Sequence, residues 1–74
     1  MIENNDYEKL EKIIFEFIKN RKNLNESTTS RHIHRRFDIS MDASEQILQN
    51  LLKKNLIDEF YDDEYQENRY TLKQ

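Results

Sequence analysis

Cysteine, glycine and proline are all missing from these 74 residues, and each absence closes off a class of chemistry. Without cysteine there is no disulfide framework, no thiolate metal site and no thiol nucleophile, and the redox compartment is left unmarked. Without glycine there is no phosphate-binding loop, because such loops need backbone that is free at positive φ and open to close approach. Turns then fall to Asn, Asp and Ser, which tolerate left-handed or side-chain-bonded conformations, and the eight asparagines suit that need. No apolar run approaches the roughly 20 residues of a membrane span. The opening MIENNDYEKLEK is acidic and polar, unlike a signal peptide. A cytoplasmic location and no membrane partner are the expectation.

A chain of this length buries only about 60% of its unfolded surface, so nearly every apolar residue must serve one core and little is left for a catalytic cleft. At 36% charged and 35% hydrophobic it is polar, but its Leu, Ile, Phe and Tyr recur at intervals that disordered segments seldom show. One folded domain over residues 1–74 is expected. No serine stands in a nucleophile-elbow motif, and Asp62, Asp63 and Glu64 lack the spaced ligands and Gly turn of a calcium loop. His32 and His34, two apart on a helix, diverge by about 200° and cannot hold one ion. The expectation is therefore a protein that is not an enzyme and takes no metal, cofactor or small-molecule substrate.

Leu10, Ile13, Ile14, Phe17 and Ile18 stand at i, i+3, i+4, i+7 and i+8, which predicts an amphipathic helix over about 7–20. Phe15 points away from that stripe and reads as a surface apolar or a partner contact. Residues 20–26 form a polar connection in which Leu24 is expected under the core, as a minimal first strand. A second helix follows over 27–37, capped by Ser27 or Asn25, with Thr29, Ile33 and Phe37 inward. Ser40 or Asp42 opens a third over 42–54, Asp42-x-x-Glu45 being an acidic capping box. Asn55 then takes the left-handed position after it. Segments 57–61 and 69–73 read as strands, with Phe60, Tyr70 and Leu72 facing the helices and DDEYQEN as the hairpin loop.

The spacing Thr29-x3-Ile33-x5-Ile39-Ser40, then Leu48-x2-Leu51-x3-Asn55-Leu56-Ile57, resembles the helix-turn-helix of winged-helix proteins, and Phe60 to Leu72 resembles their two-stranded wing. More distantly, the chain resembles the DNA-translocase orientation module, in which an Arg-rich segment leads to the recognition helix. The resemblance implies an α+β fold, a three-helix winged helix-turn-helix with a C-terminal two-stranded β-hairpin wing. It implies a sequence-specific or structural DNA-binding protein, a small transcriptional or replication regulator of bacterial, phage or archaeal type, whose partner is double-stranded DNA. The third helix would be the recognition helix, with Gln46, Gln49, Asn50 and Lys53 toward base edges. Lys22, Arg31, Arg35, Arg36 and Ser40 would meet phosphates. A homodimer through the first helix, by Tyr7 and Phe15, is the usual arrangement for so small a module.

Charge is distributed unevenly. Residues 21–36 carry +4 and residues 57–74 carry −4, with no Lys or Arg between Ile57 and Asn68. Arg31 and Arg35, one turn apart and opposite Ile33, project together and can grip a phosphate backbone. Arg31 has no acid three or four positions away, so the cluster is undercompensated in sequence. The acidic wing would be repelled by that same backbone. It supports an alternative, a protein-interaction winged helix or inhibitor that docks on a basic protein partner through Tyr61, Asp62, Asp63, Glu64 and Tyr65.

Overall fold

The computed structural model of the chain describes residues 4–73, with side chains from Tyr7 onward. Among these residues the order is α1 (Asn4–Asn23), α2 (Ser30–Phe37), α3 (Met41–Lys53), β1 (Ile57–Asp62) and β2 (Glu67–Leu72). Three helices followed by an antiparallel hairpin make the α+β layout of a winged helix with a hairpin wing.

Left-handed residues stop the helices where other chains would use glycine. After α1, Asn25 has φ 60°, and the N–H groups of Asn25 and Glu26 return to the carbonyls of Lys22 and Arg21 at 2.9 and 2.8 Å. After α3, Asn55 has φ 60°, and Asn55 and Leu56 return to Leu52 and Leu51 at 3.0 and 3.1 Å. Both are six-residue C-terminal motifs that satisfy orphan carbonyls. Asp38, φ 54°, ends α2. Short polar side chains visit this region at least cost, because their own oxygen can bond the local backbone. Gln66, φ 52°, in the hairpin turn has no such advantage.

The first helix is longer than its apolar stripe, running about one turn past the expected 7–20 at each end. Its inward face centres on Glu11, Ile14 and Ile18. That rotation corrects two expectations: Ile13 is 54% exposed, and Phe15 is half-buried against the core. Tyr7 is likewise half-buried against its own core.

The second helix starts later than expected. Its N-cap is Thr29, neither Ser27 nor Asn25, and Thr29 is buried there, beside Ile33. Leu24 is 70% exposed and forms no strand. The minimal first strand is instead Thr28, which exchanges backbone hydrogen bonds with Tyr70 at 2.8 Å in both directions. The third helix is capped by Ser40, whose hydroxyl accepts the N–H of Ala43 at 3.0 Å; Asp42-x-x-Glu45 does not form the capping box. Ser44, fully buried, donates its hydroxyl to the carbonyl of Ser40 at 2.9 Å.

In the hairpin, Ile57 pairs with Leu72, Glu59 with Tyr70 and Tyr61 with Asn68 on one face, and Asp58, Phe60 and Asp62 oppose Thr71, Arg69 and Glu67 on the other. Side chains alternate along a strand, so burying Ile57 and Tyr70 turns Phe60 outward, where it is 46% exposed. The expectation for Phe60 is corrected by that parity. The paired strands start two residues earlier in β2 than expected and leave a loop of only Asp63 to Gln66. Asp62 Oδ1 tightens it by accepting the N–H groups of Glu64 and Tyr65 at 3.0 and 3.4 Å.

The core joins Ile14 and Ile18 of α1, Ile33 of α2, Ile47, Leu48 and Leu51 of α3, and Ile57 and Tyr70 of the hairpin. Phe17 and Phe37 close its rim edge to face, centroids 5.3 Å apart. No helix among the described residues is long and apolar enough to cross a membrane.

Candidate nucleic-acid interface

With Ser44, Ile47, Leu48 and Leu51 buried, the 100° step of the helix turns Asp42, Gln46, Gln49 and Lys53 outward, and all four are exposed. Beside this face lies a groove of about 390 Å³ between α3, the first turn of α2 and the hairpin. Met41, Glu45 and Gln49 form its α3 wall, Arg31 stands on the α2 side, and Glu67, Asn68 and Tyr70 form the hairpin side.

Of the residues expected at base edges, Gln49 lines the groove and Lys53 projects freely. Asn50 does not join them. It is half-buried toward α1, donating from Nδ2 to Glu11 Oε2 at 3.2 Å and accepting from Gln46 Nε2 at 3.0 Å. Glu11 also takes Lys54 Nζ at 2.8 Å. This chain of polar contacts satisfies a carboxylate that is otherwise 7% exposed, and its hydrogen bond raises the Lys54 ammonium above its ordinary pKa. Gln46 is exposed but shared with that network.

The expected phosphate contacts divide among three faces. Arg31 is in the groove, Lys22 lies on the far side of the hairpin beside Phe60 and Ser27, and Arg36 faces α1 beside Ile13 and Phe17. Arg36 also stacks on Phe37, 5.5 Å from its centroid. Arg35 is exposed and, among the described residues, makes no ion pair. Ser40 is engaged as the α3 cap.

Arg31 is compensated after all, by a residue 36 positions away: its Nη2 meets Glu67 Oε1 at 2.5 Å. Glu67 Oε2 takes Arg69 Nη1 at 3.1 Å, and Arg69 reaches Asp62 at 3.6 Å and the Ser27 hydroxyl at 2.5 Å. Arg21 binds the Ser27 carbonyl through Nε and Nη2 at 3.1 and 2.7 Å. Guanidinium groups thereby clamp the segment before α2 to both α1 and the wing. His32 sits among them, and burial first, then Arg21 and Arg69, lowers its pKa below the ordinary value. Its Nδ1 caps the Thr29 N–H and His34 Nδ1 meets the carbonyl of Ile39, so the two imidazoles serve different turns.

Tyr70 also lines the groove, and burial first, then the carboxylates of Glu59 and Glu45, raises its pKa well above the usual phenol value. Of the expected protein-contact residues, Tyr61, Asp63, Glu64 and Tyr65 are exposed at the hairpin tip. Asp62 is engaged by Arg69 and by the turn backbone. Sequence offered no signal for Glu67 or Asn68 in the groove, because only the hairpin's register brings them opposite α2 and α3.

No family model, curated protein or solved structure matches the chain.

Proposed function

We propose that the chain binds double-stranded DNA, laying the outer face of α3 in the major groove, as a small sequence-specific or structural regulator of transcription or replication. The observation that carries this reading is the exposed α3 face. Asp42, Gln46, Gln49 and Lys53 protrude from the fold, and an α-helix is the element that B-DNA's major groove admits. Gln49 has the bidentate amide that matches adenine, and Lys53 suits guanine or phosphate. Arg35 supplies an uncommitted cation one element away. Glu45 and Asp42 restrict the mode of approach, since carboxylates at that end are tolerated only where they accept from cytosine or stand off the backbone.

The test is a titration of random and AT-rich duplexes at about 50 and 200 mM salt. Affinity should fall steeply with salt. Arg35→Ala should reduce the slope of log K against log salt by about 1, and Gln49→Ala should weaken the preferred duplex more than a random one. Absence of binding at the lower salt sinks the reading.

A second reading is favoured by the hairpin tip, where Tyr61, Asp63, Glu64 and Tyr65 are exposed on a segment, Ile57 to Asn68, whose sequence holds no Lys or Arg. Such a tip suits a basic protein surface. Reversing Asp63 and Glu64 to Lys should abolish that contact and leave duplex binding intact or stronger.

A further inference from the structure

We infer that the groove beside α3 contains a site for one backbone phosphate, filled in the free protein by the carboxylate of Glu67, and that duplex binding exchanges Glu67 for phosphate at Arg31. This rests on the DNA reading above.

Two guanidinium groups converge on one carboxylate at the groove. Arg31 Nη2 takes Oε1 at 2.5 Å and Arg69 Nη1 takes Oε2 at 3.1 Å. Planar guanidinium forks bind carboxylate and phosphate with the same geometry, so a pair of them holding a carboxylate is also a pair able to hold a phosphate. The two arginines are not equally free. Arg69 has further anchors, Asp62 and the Ser27 hydroxyl, which hold it when Glu67 leaves. Arg31 has none among the described residues, and its side chain is 60% exposed against 19% for Glu67. Arg31 is therefore the group that trades carboxylate for phosphate.

Position decides what would displace the carboxylate. Arg31, Glu67 and Gln49 line one groove, so a strand whose base edges reach Gln49 carries its phosphates past Arg31. An ion pair with an exposed partner is weak and salt-screened, whereas a phosphate arrives with neighbours that bind elsewhere at the same time and with counterions to release. Glu67 thus acts as a built-in competitor that lowers the affinity of the free groove and screens out isolated anions.

The experiment compares duplex binding by the whole chain with its Glu67→Gln, Glu67→Asp, Asp63→Asn and Glu67→Gln/Arg31→Ala variants, each checked for folding by its thermal melt. Glu67→Gln should bind about tenfold tighter near 100 mM salt, with a log–log salt slope steeper by about 1. Glu67→Asp, which keeps the charge but withdraws it by one methylene, should give a smaller rise. It keeps the test open if the Gln variant melts early. Adding Arg31→Ala should return both affinity and slope to wild-type values or below. If wild-type protein binds and Glu67→Gln binds no better, or if Asp63→Asn raises affinity equally, the inference falls and the DNA reading stands. If only Glu67→Gln binds, the DNA reading fails for the chain with Glu67 in place and the inference fails with it. If no form binds, both fall.

Discussion

The backbone N–H of Thr29 donates to Nδ1 of His32 at 3.0 Å, and the Thr29 hydroxyl accepts the N–H of His32 at 3.3 Å. This is a reciprocal capping box in which imidazole replaces the usual Glu or Gln. It works only while Nδ1 has a free lone pair, so the proton of the neutral ring belongs on Nε2.

Stability should therefore depend on pH through His32. Burial and the facing charges of Arg21, Arg69 and Arg31, opposed by Glu67, lower its folded-state pKa below 6.5. The unfolded chain takes up the proton first as pH falls, so this contribution is complete above the unfolded value and is lost as pH drops through the folded one. Urea midpoints should decline from pH 7.5 toward pH 5, and His32→Gln should flatten that part of the curve. An equal decline in the variant would place the sensitivity elsewhere.

Hairpin register makes a second prediction, because Ile57 and Phe60 lie on opposite faces of β1. Ile57→Ala removes a 2% exposed core side chain and should cost about 2–4 kcal/mol. Phe60→Ala, on the outer face, should cost about 1 kcal/mol or less. Chemical denaturation of the two variants reads the difference, and a one-residue slip in register would reverse their order.

The Glu11 network gives a third. Replacing Glu11 by Ala leaves the half-buried Asn50 amide without its acceptor and should destabilise the fold by about 1–2 kcal/mol. Lys54→Ala should cost less, because the ammonium is exposed and Asn50 still serves the carboxylate. A double-mutant cycle between Glu11 and Lys54 would isolate their coupling.

Left-handed backbone gives a fourth. Asn25, Asn55 and Gln66 hold φ between 52° and 60°, and of the three only Gln66 lacks the short polar side chain that eases that conformation. Gln66→Gly should stabilise by about 1 kcal/mol, and Asn55→Gly by less, since Asn already tolerates the region. Thermal melts should rank them in that order.

The apolar period of residues 10–18 and 47–51 was enough to place α1 and α3, and the pairing of Asn55 with a preceding apolar stripe was enough to place the end of α3. Rotation was harder to read. The stripe written as Leu10, Ile13, Ile14, Phe17 and Ile18 hid Glu11, because a carboxylate satisfied by Asn50 and Lys54 gives no apolar signal although it lies at the centre of the buried face. Hydrophobicity points to Leu24 for the first strand, whereas the strand position belongs to Thr28, which contributes backbone pairing and not an apolar side chain. Gln49, Lys53 and Arg35 were legible as exposed positions from helical angle alone. The partner of Arg31 was not, since local charge spacing sees one turn of helix and Glu67 arrives from another element.

Thr28, β2 and β1 form one ribbon in that order, which leaves the far margin of β1 unpaired among the described residues. Such a margin invites a second molecule to zip onto it. β1 carries the exposed Asp58 and Glu59 and no Lys or Arg, so two ribbons meeting there repel each other near neutrality. The side chains that give the wing its sign thus also guard the strand border left open.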